Sequence, residues 1–317
     1  MTEFTVTIVG TGVIGTSMGL ALKQHKEPIR VLGHDKDLLR AKEGVKMGAF
    51  DRAEWNLVNA CEKADLIVLA IPLSGIRFTL EAIAKDLKQG VVITDTTPNK
   101  VDTLAWAQEL LPEHAHFVGG NPIVQPAGTG YEHASADLFR GRLYCLTPAA
   151  TANETAVETM LAMVSLLGAA PFFLDPAEHD GLMAAVEHLP AMLSVALVNT
   201  LLEQGAWNEG RKLAGSLFEH VSAGAVGDPD ALKEAWLSQQ TNLPRLVDAL
   251  IRQLTALRDL LVAEDGGEPL AQAIDRAVVE RASWQKDVRE GKFIGPEVTT
   301  PPLEKQGLFK RLFGIRR

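Results

Sequence analysis

Short apolar runs alternating with helix-period segments set out the first half of the chain. Residues 5–9, 29–33, 64–70, 90–95, 116–120, 143–146 and 170–174 read as strands, and 64–70 is apolar at nearly every position. A run without polar alternation belongs to a strand buried on both faces, as in a parallel sheet covered by helices. Between these runs, 16–23, 38–47, 78–87, 100–111 and 153–167 have helical spacing, while 52–60 shows no clear period. Strand–helix alternation of this kind predicts a mostly parallel, doubly wound α/β sheet over residues 1–175.

From Pro176 the pattern turns helical. Residues 177–202 are largely apolar, with Pro190 expected to kink or break the helix, and 211–220 and a segment from Ala231 also read as helices. Leu243, Leu246, Val247, Leu250, Ile251, Leu254, Leu257, Leu260 and Leu261 then recur at steps of three and four, with Arg245, Asp248, Arg252 and Arg258 off the stripe. So broad a stripe marks a core or a subunit interface. Gly266 and Gly267 close that helix, and 269–288 reads as a last amphipathic one. The expectation is an all-α dimerisation and substrate domain over 176–290, shared across a homodimer. Residues 291–317 read as a linker, Pro- and Gly-bearing at 295–303, followed by the basic amphipathic stretch Leu308-Phe-Lys-Arg-Leu-Phe-Gly-Ile-Arg-Arg317. Its expected state is a solvated terminus, with contact to acidic lipid the lesser alternative.

The chemistry starts at Gly10-Thr11-Gly12-Val13-Ile14-Gly15, a G-x-G-x-x-G between the first strand and the first helix. Gly10 serves the tight turn, Gly12 lets a pyrophosphate approach the backbone, and Gly15 lets helix and strand pack closely. The helix-start amides, those of Val13 and Ile14 among them, favour an anion. Asp35 ends the second strand, twenty residues past Gly15, where a carboxylate accepts hydrogen bonds from the adenosine ribose. That arrangement predicts a Rossmann dinucleotide-binding domain and NAD in preference to NADP, with Lys36 and Arg40 close enough to weaken the choice. Ligands of open α/β sheets bind at the strands' C-terminal ends, so Ala70, Ile71 and Pro72, which end one strand in a loop, and Asp95, which ends the next, join the expected cofactor contacts.

With 46% apolar and 22% charged residues, the composition is that of a globular protein, and a net charge of −9 argues against a nucleic-acid partner. Cys61 and Cys145 fit neither a disulfide framework nor a metal site and read as buried thiols of a reducing compartment. The N-terminus lacks the pattern of a signal peptide, and no uninterrupted apolar run nears the ~20 residues of a membrane helix, so a cytoplasmic location is expected.

Three further stretches carry a resemblance: Val118-Gly-Gly-Asn-Pro-Ile123 through Gly130, Leu138-Phe-Arg-Gly-Arg-Leu-Tyr-Cys-Leu-Thr-Pro148, and His179-Asp-Gly-Leu-Met-Ala-Ala-Val-Glu-His-Leu-Pro190. With the nucleotide half, they make the chain similar to the prephenate/arogenate dehydrogenase family over about residues 4–290. The resemblance implies a dinucleotide-binding domain followed by a helical dimerisation domain. It also implies NAD(P)-dependent oxidation of the 4-hydroxyl of a cyclohexadienyl acid, with loss of carbon dioxide. That chemistry needs a base for the hydroxyl proton, a hydride acceptor, and cations for the substrate carboxylates.

Several family positions differ here. The histidine of the family's G-x-H-P-M loop is Asn121, and an amide cannot take a proton at neutral pH. The serine of D-x-x-S-V-K is Pro98. In S-H-L-P-H, His188 and Pro190 are kept, but the first serine is Glu187 and the last histidine Ala191. The arginine before the Asp-Pro pair falls near Ala223. By resemblance, His188 is expected at the substrate cleft as the replacement base, with Asn121 and His179 as the other catalytic candidates. His179 and His188 lie nine residues apart, out of phase on a straight helix. His114, His116 and His133 are lesser candidates, Glu187 disfavours a dicarboxylate, and Arg140 and Arg142 are possible sources of positive charge. Three functions follow: an NAD-dependent prephenate/arogenate-type dehydrogenase acting on that substrate or a relative; a catalytically inactive NAD(H)-binding dimer serving as a sensor or partner-binding protein; or a dehydrogenase for another small hydroxy acid. The last is disfavoured because residues 184–202 hold no lysine of the kind β-hydroxyacid dehydrogenases use.

Overall fold

The computed structural model describes residues 3–128, 130–205 and 207–294. The basic stretch at 308–317 and the linker at 295–303 lie outside these residues. By internal contacts the chain divides into two units, one reaching from the N-terminus to His179 and the other spanning Asp180–Gly295.

The first unit is an eight-stranded sheet of β1 (Phe4–Val9), β2 (Ile29–His34), β3 (Arg52–Ala53), β4 (Leu66–Leu69), β5 (Val92–Asp95), β6 (His116–Pro122), β7 (Leu143–Pro148) and β8 (Ala170–Phe173). Their order is β3-β2-β1-β4-β5-β6-β7-β8, with every pair parallel except β6 with β7. Alternate residues of each strand serve opposite faces. Val6, Ile8, Leu66, Val68 and Val92 pack into one core with Met18, Leu22, Met160 and Met163. Val9, Ile67, Leu69 and Ile93 pack into the other with Cys61, Ile76, Leu80 and Ile83. That two-sided burial is why the strand runs carry so few polar residues.

In the first unit, three elements differ most from the sequence expectation. The helix placed at 78–87 is Leu73–Ile83, starting directly after Pro72 and continuing into a 3-10 turn at Ala84–Asp86. Proline's fixed φ suits a helix start, so the loop after β4 is short. The ambiguous segment 52–60 supplies β3 and the helix Leu57–Cys61. Asn121 and Pro122, expected in a loop, extend β6 and pair with Cys145 and Tyr144 of β7.

In the second unit, the helices Trp207–Leu213, Ser216–Ser222, Pro229–Leu237, Leu243–Val262 and Gly267–Arg289 follow the apolar segment. The single helix expected at 211–220 is thus two, separated at Gly215, whose extended backbone caps the second. The apolar segment is helical from Pro176 to Glu203 with a π-turn at Ala184–His188 just before Pro190. A proline removes one donor and crowds the preceding turn, and a π-turn absorbs that misfit without ending the helix. Glu178, Asp180 and Glu187 interrupt this segment, so it holds no uninterrupted apolar run of about 20 residues, as expected. This 28-residue helix, with a mean hydropathy of 1.6 over its most apolar 18 residues, is long and apolar enough by length and composition to cross a membrane.

Candidate active site

Gly10 leaves β1 at φ +96, and a Cβ there would lie 2.2 Å from the Ala70 carbonyl oxygen. The glycine loop and the loop after β4 therefore touch, at the point where strand order reverses between β1 and β4. A Cβ on Gly15 would sit 2.0 Å from the Gly10 carbonyl oxygen, so the helix Val13–Lys23 presses onto the same loop. That helix begins at Gly12 with no side-chain cap and no acidic residue in its first turn, leaving its opening amides to an incoming anion.

Asp35 has a task the sequence did not reveal. One carboxylate oxygen accepts from the Thr11 amide at 2.8 Å and the Thr11 hydroxyl at 3.0 Å, and the other from the Asp37 amide at 2.9 Å. It thereby fixes the glycine loop. Ala70 and Ile71 are half-buried and Pro72 exposed along the crevice. A cradle closed to any side chain and an uncapped helix start fit a dinucleotide diphosphate.

Asp95 does not line that crevice. Its side chain is 0% exposed and forms a salt bridge with Lys100, also 0% exposed. The Gly120 amide donates to its other oxygen at 3.1 Å, while the Thr97 hydroxyl and amide donate to the oxygen that Lys100 holds. The expected cofactor contact is thus committed to the interior, because β5 and β6 are parallel neighbours and the β6 backbone lies within its reach. Lys100 also donates to the Gly120 carbonyl at 2.7 Å. The sequence reading passed over Lys100, since nothing in a linear pattern marks a lysine as buried. Its position on the D-x-x-x-x-K turn was the one available signal.

One residue on, Asn121 is 5% exposed, and its side-chain nitrogen lies 3.1 Å from Nε2 of His179, itself 1% exposed. A carboxamide nitrogen only donates, so His179 accepts through Nε2 and carries its proton on Nδ1. Two of the three catalytic candidates are thus in contact. His188 is also buried, within the π-turn. Since that turn holds an extra residue, the nine-residue spacing from His179 no longer means opposite sides of a straight α-helix. Glu187 is exposed by surface area, yet surrounding protein still raises its carboxyl pKa.

The lesser candidates are not gathered here. His116, at the start of β6 and so at the sheet edge away from Asn121, contacts the Thr151 carbonyl and Asn153. His114 bonds the Leu87 carbonyl, and His133 packs on Gly128. Arg140 pairs with Asp137 at 2.9 Å on the surface, and Arg142 is exposed. In the helical unit, a Cβ on Gly224 would lie 2.7 Å from the Ala191 Cα and 2.8 Å from the Ser194 hydroxyl. Ala191 and the turn after Ala223 therefore pack tightly where the family pattern has histidine and arginine. Among the described residues no cluster of metal-ligating side chains occurs.

Comparison with known proteins places this architecture. Residues 18–172 match the nucleotide-binding domain of prephenate dehydrogenase and residues 175–275 its dimerization domain. Prephenate dehydrogenase of Bacillus subtilis is 26% identical over 263 residues, covering 82% of this chain and 71% of that protein. Cyclohexadienyl dehydrogenase of Zymomonas mobilis is 25% identical, covering 82% of this chain and 89% of its own length. The fold is shared with prephenate dehydrogenase from A. aeolicus, solved with hydroxyphenyl propionate and NAD+, at a TM-score of 0.82 and 23% identity over 89% of this chain and 99% of that one. Two consecutive domain matches that together cover most of the chain mean that it belongs to the prephenate dehydrogenase family of NAD-dependent oxidoreductases.

Proposed function

We propose that this protein oxidises a ring hydroxyl of a cyclohexadienyl acid of the prephenate or arogenate type, with Asn121 and His179 meeting that hydroxyl. The observation carrying the proposal is the buried 3.1 Å contact between these two side chains at the end of β6. When bound, NAD would supply the hydride acceptor; the first-turn amides at Val13, Ile14 and Gly15 would hold its diphosphate and Asp35 its ribose. Asn121 offers hydrogen bonds and takes no proton, so the hydroxyl proton passes to an imidazole. His179 is the base in this reading: the substrate hydroxyl displaces the Asn121 amide from Nε2, which then accepts the hydroxyl proton; His188 is the other buried imidazole. The relatives named above support the substrate class.

A second reading, an NAD(H)-binding dimer without turnover, draws on Ala191 and Ala223, which place no cationic side chain where the family pattern has histidine and arginine, and on the tight packing of Ala191 against Gly224. In both readings the subunits pair through the helical unit. There the second half of the Leu243–Val262 stripe is exposed at Ile251, Leu254, Leu257 and Leu261. Burial of that face and of the Pro176–Glu203 helix against a second copy, in a cytoplasmic protein, accounts for its apolar surface.

One assay separates the readings. Protein, NAD and prephenate or arogenate are mixed and the absorbance of reduced cofactor followed, with NAD binding measured in parallel. Turnover that is lost in His179→Ala supports the first reading. Binding without turnover favours the second, and no binding of NAD or NADP refutes both.

A further inference from the structure

The Asp95–Lys100 pair asks for an explanation beyond stability. Two charged side chains with no exposure at all are costly to desolvate, and an apolar pair of similar size usually serves a core as well or better. The sheet is nevertheless built around them. A Cβ on Gly119 would lie 2.3 Å from the Thr147 hydroxyl and 3.1 Å from the Lys100 Cδ, and one on Gly120 would lie 2.7 Å from the Asp95 carbonyl oxygen. Gly119 thus leaves room for the lysine stem, and Gly120 lies against the Asp95 backbone. Between them, Lys100 and Asp95 hold both backbone polar groups of Gly120. The ammonium donates to its carbonyl at 2.7 Å, and the carboxylate accepts from its amide at 3.1 Å. The next residue is Asn121, in contact with His179.

We infer that Lys100, with Asp95, is a positioning residue for the reaction: it clamps the Gly120 peptide and so sets where the Asn121 side chain stands against His179. This rests on the reading that Asn121 and His179 meet the substrate hydroxyl. The clamp is aimed at the reacting geometry, since its hydrogen bonds run to Gly120, the residue before Asn121. Displacement of a reacting group by about 1 Å costs up to about a hundredfold in rate, whereas ground-state binding is less sensitive.

Lys100→Met leaves a buried carboxylate without its cation and endangers folding, so Asp95→Asn combined with Lys100→Met, which removes both charges, carries the test. Thermal unfolding, NAD affinity by calorimetry, kcat and KM on the cyclohexadienyl acid the native protein turns over, and the ring-nitrogen resonances of His179 by NMR are measured together. The expected variant is folded and binds NAD within about twofold of the native value. Its KM stays within about threefold, its kcat falls by at least about tenfold, and its His179 Nε2 resonance moves as the Asn121 contact loosens. Native kcat, or a lowered kcat with the His179 resonance unmoved, overturns the inference. If the native protein turns over no such acid, the functional reading fails by itself. The His179 resonance then decides the clamp alone: moved supports it, unmoved overturns it.

Discussion

Gly10→Ala tests the cofactor crevice most directly, because the structure separates its two costs. The first is backbone strain: an L-residue in the left-handed region costs about 1–2 kcal/mol, and Gly10 sits at φ +96. The second is collision, since the new methyl would lie 2.2 Å from the Ala70 carbonyl oxygen. Relief requires the two loops to part by about 1 Å, which takes the opening amides of the helix out of register with the diphosphate. A hydrogen bond to a charged group contributes about 1.5–3 kcal/mol, so losing one weakens NAD binding by about 10- to 100-fold. Gly48→Ala is the internal control. Gly48 has φ +80 with nothing within 4 Å of its would-be Cβ, so it carries strain without collision. Gly48→Ala is expected to lose roughly 2–8 °C in unfolding midpoint, at about 2–4 °C per kcal/mol for domains of this size, and Gly10→Ala more, because the collision adds to the strain. Only Gly10→Ala is expected to lose NAD affinity by calorimetry. Native NAD affinity in Gly10→Ala refutes the crevice as drawn here.

Two further outcomes follow from burial. Burial pushes the Cys61 thiol up to about 12 and the Cys145 thiol up to about 11. The native protein is therefore expected to resist thiol alkylation at pH 8 and to react fully in denaturant; fast native labelling would contradict their burial. Raised thiol values also fix a sign: this contribution to stability is complete below the unfolded value near ~8.5 and declines as pH rises through the folded values. In the helical unit, Leu254 is 52% exposed midway along the apolar stripe. Leu254→Asp is expected to shift the protein from dimer to monomer in analytical ultracentrifugation, and an unchanged mass would remove that face from the subunit contact.

The linear pattern determined a good deal. The apolar run at 64–70 read as a strand buried on both faces, and Gly10, Gly12 and Gly15 between strand and helix marked the glycine loop, because both signals are local. The change of period at Pro176 and the stripe from Leu243 to Leu261 announced the helical unit for the same reason. Which polar side chains meet was decided by the tertiary structure alone. Asp95 read as a cofactor contact from its place at a strand end, but parallel pairing of β5 with β6 brings the Gly120 amide to it and Lys100 into the interior. Asn121 and His179, 58 residues apart in the chain, come into contact between the end of β6 and the helix Pro176–Met183. Such a meeting depends on how strands are ordered in the sheet, a property no local sequence window contains.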